Sequence, residues 1–185
     1  MSPSSEPLVK GSNVLLTAKA LRGRRDAALK LLPAALHHYL DSRVLQSSWY
    51  SERDHQELTR ALVRMLPHDG PDCWRYIGGE AAKGRVSGPY KVMIMGGPEA
   101  LFSSFQSFWR LVHTTGDWQV EESGEGRRRC RISDFAVGMP ELAPLMEGWF
   151  AEAIRQGGGR QVAVRCSEQD ESSATFEISW TSAAD

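Results

Sequence analysis

Apolar residues in the first half of the chain recur at the spacing of helices. Leu29, Leu32, Leu36 and Leu40 follow one another every three or four residues, which places them on one helical face. Pro33 interrupts this run. Because proline lacks an amide donor and clashes with the preceding turn, we expect it to kink or split the helix.

Three further helices are predicted before residue 115. Ser51 and Asp54 resemble a capping box, and an apolar face containing Leu58 follows them. A helix with less certain ends is expected over about 72–83. After Gly96-Gly97-Pro98 the next helix presents a strongly apolar face, which comprises Leu101, Phe105, Phe108 and Val112.

The period of the pattern changes from helical to alternating after Thr115. Trp118 and Val120 alternate with polar residues, 124–126 can turn the chain, and Cys130 and Ile132 alternate with arginines, which predicts a β-hairpin. A helix is then expected from Met139-Pro140 to the glycines at 157–159. The segments 162–166 and 174–180 alternate again and predict a second hairpin.

These elements predict an α+β fold in which N-terminal helices pack on one face of a four-stranded antiparallel sheet, with a hairpin-helix-hairpin C-terminal half. Residues 1–10 are expected to be a flexible tail, 11–180 a single domain and 181–185 a second tail. The outer face of the sheet is expected to be polar.

Composition narrows the function classes. The 185 residues carry 22 Lys and Arg against 23 Asp and Glu, so the chain lacks the basic excess of a nucleic-acid-binding protein. Its three cysteines are widely spaced, which indicates no disulfide framework and no zinc ribbon. Neither a signal peptide nor a membrane-spanning run is recognised. We therefore expect a cytoplasmic protein with no nucleic-acid partner.

No catalytic constellation is recognised in the sequence. The glycine clusters lack the lysine and serine of a phosphate-binding loop, and the histidines lack metal-ligand spacing. No serine or cysteine stands in a known nucleophile motif. The sequence therefore predicts a non-enzymatic protein without a metal or cofactor.

The strand at 127–131 carries the densest run of charge. Arg127, Arg129 and Arg131 alternate along it and form a short basic stripe. This stripe is either an interaction surface for phosphate or acidic protein, or a solvated strand whose charge prevents edge pairing.

The aromatic residues and two of the cysteines leave a similar choice. Trp118, Cys130, Cys166 and Phe176 fall on the apolar face of the predicted strands. They either fill a core, or line a cavity for a small apolar ligand. Trp49 and Tyr50 are candidates for a protein-interaction surface.

Six short segments resemble a myxobacterial family of paralogous domains of unknown function, in the same order and over nearly the whole chain. They are DSRVL (41–45), SSWY (47–50), GPYK (88–91), GDWQVE (116–121), GW (148–149) and FEISW (176–180). That family in turn resembles 4-vinyl reductase and haem-NO-associated domains, whose fold is shared with small subunits of the vesicle-tethering transport protein particle. The resemblance implies helices on a four-stranded sheet, small apolar ligands or interaction partners, and dimers.

The chain departs from those relatives near its C-terminus. Cys166 matches the first of two cysteines that are common there, but Ala174 stands at the second, and Asp170-Glu171 replaces a Gly-Asp turn. We therefore carry over no cysteine-based metal or redox site.

The sequence thus predicts a non-enzymatic bacterial signalling domain that binds a small apolar ligand between helices and sheet. The alternative is a ligand-free interaction adaptor that acts as a homodimer or docks to a protein partner.

Overall fold

A computed structural model describes residues 6–67, 70–86 and 91–182. It confirms the α+β class, with a four-stranded antiparallel sheet and a second sheet of two strands. The chain divides into two compact units. The N-terminal unit is Met1–Asp69 with Arg110–Thr115, and the C-terminal unit is Gly70–Trp109 with Gly116–Asp185. That 11–180 acts as a single domain stays a prediction.

The N-terminal unit contains two short strands and four helices. In chain order they are β1 (Leu8–Lys10), α1 (Gly11–Arg22), α2 (Arg25–Leu31), α3 (His38–Asp41), β2 (Trp49–Ser51) and α4 (Glu52–Arg64). β1 pairs antiparallel with β2, and Val9 is completely buried. The folded chain therefore begins before residue 11, inside the segment that the sequence assigned to a tail.

The break at Pro33 is confirmed. α2 ends at Leu31, and a short 3-10 turn over Ala34–Leu36 leads into α3. Leu32, Leu36 and Leu40 are still buried together with aliphatic residues of α1 and α4. Their spacing therefore predicted the core positions correctly, although the residues do not lie on one continuous helix.

The capping residue of α4 is also confirmed. The Ser51 hydroxyl accepts a hydrogen bond from the Asp54 backbone N–H at 3.5 Å, which satisfies one of the free amides of the first turn. Leu58 of the same helix is fully buried.

The C-terminal unit contains the larger sheet. Its elements are α5 (Pro71–Val86), α6 (Pro98–Val112, whose last three residues belong to the N-terminal unit), β3 (Asp117–Gly124), β4 (Arg127–Ser133), α7 (Met139–Gln156), β5 (Arg160–Gln169) and β6 (Ala174–Thr181). The strand order is β3-β4-β6-β5. Both predicted hairpins are present, and β4 and β6 form the centre of the sheet.

One position in β3 differs from the predicted alternation. Val120 is exposed, whereas Trp118 on the same strand is buried. The register with β4 shifts between Val120 and Glu122. Such a bulge turns the edge strand locally, and a pattern of period two does not reveal it.

Helices α5 and α7 approach each other closely through two glycines. A Cβ atom on Gly78 would lie 1.9 Å from the Leu145 carbonyl oxygen, and one on Gly148 would lie 1.9 Å from the Arg75 carbonyl oxygen. No side chain fits at either position, so the two helices touch backbone to backbone.

Candidate functional site

An aromatic layer fills the C-terminal unit between α6 and the sheet. Phe105 of α6 lies at its centre, with its ring centroid 4.8 Å from that of Trp118 on β3 and 4.8 Å from that of Phe150 on α7. Phe150 in turn stacks on Trp118 at 5.1 Å. Five further rings extend the layer: Phe102, Phe108, Trp149, Phe176 and Trp180.

Aromatic side chains of α6 join it to the sheet and to α7. The α6 backbone comes close to the end of α7 at its first residue, where a Cβ atom on Gly157 would lie 3.3 Å from the Pro98 backbone nitrogen. The contact between α5 and α7 is instead made through backbone atoms at Gly78 and Gly148. Within the C-terminal unit, α6 is therefore held mainly by side chains.

Three of the four predicted ligand-wall residues meet in this layer. Trp118, Cys130 and Phe176 are all almost completely buried, and Cys130 and Phe176 are direct partners across β4 and β6. Burial raises the pKa of the Cys130 thiol to about 12, so the side chain is a neutral thiol and behaves as a small apolar group.

The Trp118 side chain carries an unsatisfied polar atom. Its Nε1–H is buried, and no described residue accepts a hydrogen bond from it. A buried donor without an acceptor costs about 1–3 kcal/mol. The atom is therefore a place where a ligand acceptor would gain binding energy.

Cys166, the fourth predicted residue, lies at the margin of the layer. It is paired with Phe176 across β5 and β6, but β5 is an edge strand and Cys166 is only half-buried. Its Sγ donates to the Glu168 carbonyl oxygen at 3.3 Å. Burial, and next the charge of Glu147, raise the pKa of this thiol.

A buried carboxylate holds this edge of the sheet. Glu147 of α7 accepts hydrogen bonds from the Cys166 backbone N–H at 2.6 Å and from Arg75 Nε at 2.5 Å. It thus ties α5, α7 and β5 together. The carboxylate is fully occupied by these two donors, which gives it a structural role.

Three depressions that described residues form in the C-terminal unit lie away from the predicted wall. Their volumes are about 490, 580 and 290 Å3, and none of the three is lined by Trp118, Cys130 or Phe176. Of these three, only the smallest reaches Cys166. Because the rings of Phe105, Trp118 and Phe150 contact one another, a ligand among them would have to displace rings.

The three arginines of the predicted basic stripe have different surroundings. Arg129 contacts carboxylates of Glu121, Glu177 and Glu168 at 3.1, 2.5 and 3.2 Å. Arg131 donates to the Ser173 hydroxyl at 3.2 Å. No described acidic side chain pairs with Arg127. The structure thus separates one arginine of the stripe from the other two.

Trp49 and Tyr50 have different environments. Trp49 is 39% exposed, and the Lys10 ammonium group lies 4.2 Å from its ring centroid. Tyr50 packs on Tyr39 and accepts a hydrogen bond from the Leu45 backbone N–H. Only Trp49 is thus available to a partner, whereas Tyr50 supports the fold.

The N-terminal unit contains a buried polar network that the sequence did not indicate. Glu52 Oε2 lies 2.8 Å from His113 Nδ1, and Glu52 Oε1 lies 3.7 Å from His55 Nδ1. His55 Nε2 lies 3.4 Å from the Thr17 hydroxyl. Burial raises the pKa of Glu52, but the charges and hydrogen bonds of His113 and His55 outweigh it and lower the pKa to about 2.

The histidine spacing could have revealed only half of this network. His55 follows Glu52 by one helical turn, but His113 is 61 residues away in sequence. Within the described ranges, no group of three or more histidine, cysteine and acidic side chains is arranged to hold a metal ion. In the same ranges no helix is long and apolar enough to cross a bilayer.

The fold is similar to that of solved H-NOX domains. An oxygen-binding H-NOX domain related to soluble guanylate cyclases matches with a TM-score of 0.68 at 10% identity, over 92% of this chain and 94% of that chain. A variant of the Fe(II) unliganded H-NOX protein of K. algicida gives 0.68 at 11% identity, over 93% and 96%. A protein studied for how protein-induced porphyrin distortion modulates haem redox potential matches with a TM-score of 0.68 at 11% identity, over 92% of this chain and 99% of that chain.

The C-terminal unit offers neither a histidine nor a thiolate to a haem in the aromatic layer. Haem iron takes an axial ligand such as histidine or a cysteine thiolate, and the sequence of this unit contains no histidine. Cys130, the buried thiol of the layer, stays protonated because burial raises its pKa to about 12.

No curated protein matches the chain. The comparisons give no support to a myxobacterial source, nor to the resemblance to 4-vinyl reductases and transport-particle subunits, which stay predictions. One family model matches residues 80–181, more than half of the 185 residues. The chain therefore belongs to the family described as protein of unknown function (DUF2378).

Proposed function

We propose that this protein is a non-enzymatic signalling domain that binds a small apolar ligand in the aromatic layer of its C-terminal unit. Trp118, Cys130 and Phe176 form the wall, and Cys166 lies at its margin. The observation that carries the proposal is the buried Trp118 N–H without an acceptor, surrounded by aromatic rings. The similarity in fold to an oxygen-binding H-NOX domain supports a role in sensing small molecules.

The chemistry of the wall defines the ligand class. The rings and the neutral thiol of Cys130 favour an apolar body, since they offer no charge. The Trp118 N–H adds one hydrogen-bond donor. The ligand is therefore a small apolar molecule that carries a single acceptor, such as a carbonyl or ether oxygen.

Ligand entry would move α6. The rings of the layer contact one another, so a ligand must separate the rings of Phe105 and Trp118. Phe105 belongs to α6, which is held mainly by such rings. A ligand that binds the separated arrangement better than the packed one shifts the population towards it. The displaced helix then changes the surface that a downstream partner meets.

Native mass spectrometry on full-length protein purified from its own host tests this proposal. We expect extra mass of one small molecule, and a retained fraction that falls about tenfold in Trp118→Phe, because one hydrogen bond is lost. Trp180→Phe is the control. Trp180 stacks on Phe102, and its Nε1 is not among the buried polar atoms that lack a hydrogen-bond partner. Protein without extra mass, or equal loss in both variants, would contradict the proposal.

A second candidate function is an interaction adaptor that acts as a homodimer, in the cytoplasm and without nucleic acid. It is favoured by two exposed apolar side chains four positions apart in the N-terminal unit, Leu45 and Trp49. Light scattering after size exclusion would then give a dimer that Trp49→Ser converts to monomer. Leu16→Ser, a change at another exposed apolar residue of the same unit, would leave the dimer intact. A monomeric parent protein would exclude the homodimer.

A further inference from the structure

A depression of about 580 Å3 lies on the outer face of the sheet, opposite to the aromatic layer. Two rows of directly paired residues form its floor and rim. The first row is Arg127, Ser179 and Ala163, and the second is Arg129, Glu177 and Arg165. Arginines therefore stand at three of the four ends of these rows, and Ala163 stands at the fourth.

Two arginines that line the depression are compensated by acidic residues. Glu177 and Glu168 contact Arg129 at 2.5 and 3.2 Å, so the acidic residue within the depression is already bound. Arg128 forms an ion pair with Glu99 and lies over the ring of Trp180. These side chains form the fixed wall of the depression.

The other two arginines have no such partner. Arg127 and Arg165 are exposed, and no carboxylate of a described residue pairs with either guanidinium group. The depression therefore carries two uncompensated positive charges on one face of a sheet. Because like charges on one face repel each other, an arriving anion would relieve this repulsion.

Both arginines flank a free hydroxyl group. Strand spacing and rise place the Cα atoms of Arg127 and Arg165 about 12 Å apart, which two extended arginine side chains can bridge through one small anion. Ser179 is half-buried between β4 and β5 and makes no hydrogen bond to a described residue through its hydroxyl. Two guanidinium groups and a hydroxyl thus line one depression and are within reach of one small anion.

We propose that this depression is an anion site that binds a phosphate monoester. A tetrahedral dianion can accept bidentate hydrogen bonds from Arg127 and Arg165 and one more from Ser179, whereas a planar carboxylate has only two oxygens to share among these donors. The volume exceeds that of a phosphate group, so it leaves room for the rest of a small phosphorylated molecule or of a phosphorylated side chain. The site is separate from the aromatic layer and does not depend on ligand binding there.

Titration followed by NMR of the arginine side-chain Nε–H signals tests this site in the full chain. The probes are inorganic phosphate, adenosine monophosphate and a short phosphoserine peptide, with adenosine and the unphosphorylated peptide as controls at constant ionic strength. The variants are Arg127→Ala, Arg165→Ala and Arg160→Ala. Arg160 is an exposed arginine on β5 that does not line the depression, so it is a control of equal charge.

We expect all three phosphate probes to shift the Arg127 and Arg165 signals and the unphosphorylated controls to leave them unchanged. Each of the first two substitutions should weaken binding about tenfold or more, and Arg160→Ala should have less than a twofold effect. Tighter binding of the nucleotide than of the peptide would identify a small-molecule source, and the reverse would identify a protein source. Absent shifts, or equal weakening by all three variants, would overturn the site.

Discussion

The two units of this chain fill their interiors by different means. The N-terminal unit packs aliphatic residues of several short helices, and it buries Glu52 beside His113 and His55. In the C-terminal unit, aromatic rings pack between α6 and the sheet, and α5 and α7 touch through their backbones at two glycines. The N-terminal interior therefore depends on charge and pH, whereas the C-terminal interior combines a rigid helix pair with a helix held mainly by side chains.

The difference assigns separate roles to the helices of the C-terminal unit. α5 and α7 cannot separate without breaking a backbone contact at Gly78 and Gly148, and Glu147 ties them further to β5. α6 meets its neighbours mainly through aromatic side chains, with close backbone approach at Pro98 beside Gly157. We therefore expect a structural change in response to a ligand to begin at α6, because side chains can change rotamer without breaking a backbone contact.

The largest effect is expected where the rigid pair is broken. In Gly78→Ala the new Cβ meets the Leu145 carbonyl oxygen at 1.9 Å, so the helices must move apart, and we expect a loss of about 3 kcal/mol or more in the free energy of unfolding. Gly79→Ala is the matched control. Its Cβ would have no neighbour closer than 3.8 Å, so helix propensity should make it neutral or stabilising by up to about 1 kcal/mol.

Urea denaturation followed by tryptophan fluorescence measures this pair of variants. Five of the six tryptophans belong to the C-terminal unit, so the signal reports mainly on its unfolding. Equal unfolding free energies for Gly78→Ala and Gly79→Ala would show that α5 and α7 are not in backbone contact.

The next largest effect concerns the stability of the N-terminal unit, which we expect to depend on the charge of Glu52. The pKa of Glu52 is lowered from 4.5 to about 2 in the folded protein, so its ionised form contributes stability above about pH 4.5. That contribution, on the order of 3 kcal/mol, is lost as the pH falls towards 2. Glu52→Gln should thus destabilise strongly at pH 7 and little at pH 2.

Far-UV circular dichroism during urea denaturation at both pH values measures this dependence. Glu57→Gln is the control on the same helix, because Glu57 is partly exposed and pairs with Arg60 one turn away. A destabilisation by Glu52→Gln of the same size at both pH values would mean that His113 and His55 do not hold its charge.

Local patterns predicted most of the secondary structure. The Ser51 cap, the Pro33 break, the apolar face of α6 and both hairpins depend on residues close in sequence, and all are present. Turn and cap chemistry act over a few residues, so one sequence suffices to reveal them. The bulge after Val120 was missed because it depends on how β3 pairs with β4.

The interior contacts depend on residues far apart in sequence. The glycine clusters predicted no phosphate-binding loop, and the sequence did not show that Gly78 and Gly148 mark where two helices touch. The histidine spacing predicted no metal site, and it did not show that His113 contacts Glu52, 61 positions away. The sequence placed Trp118, Cys130 and Phe176 on one apolar face, which the structure bears out, but periodicity alone does not tell a filled layer from a cavity.

A smaller effect compares the two sides of the aromatic layer. Phe105→Leu removes ring atoms from α6, which can move inwards to fill the space, so we expect a loss of about 1 kcal/mol. Phe176→Leu removes the same atoms from the central strand β6, which is fixed by two neighbours, so about 2 kcal/mol is expected. Urea denaturation compares them. A larger loss for Phe105→Leu would mean that α6 is as rigid as the sheet.

The smallest effect is expected at the unpaired donor. Trp118→Phe loses part of a ring, which destabilises, but it also removes a buried N–H that has no acceptor, which stabilises. The two changes should nearly cancel, so the free energy of unfolding should stay within about 1 kcal/mol of the parent value. Trp149→Phe loses the same ring atoms, but the Trp149 Nε1 is not among the buried polar atoms that lack a hydrogen-bond partner. Trp149→Phe should therefore lower the free energy of unfolding more. Thermal denaturation of ligand-free protein compares the two variants. If Trp118→Phe costs as much as Trp149→Phe, the Trp118 N–H already has an acceptor, and the layer then offers a ligand no unpaired donor.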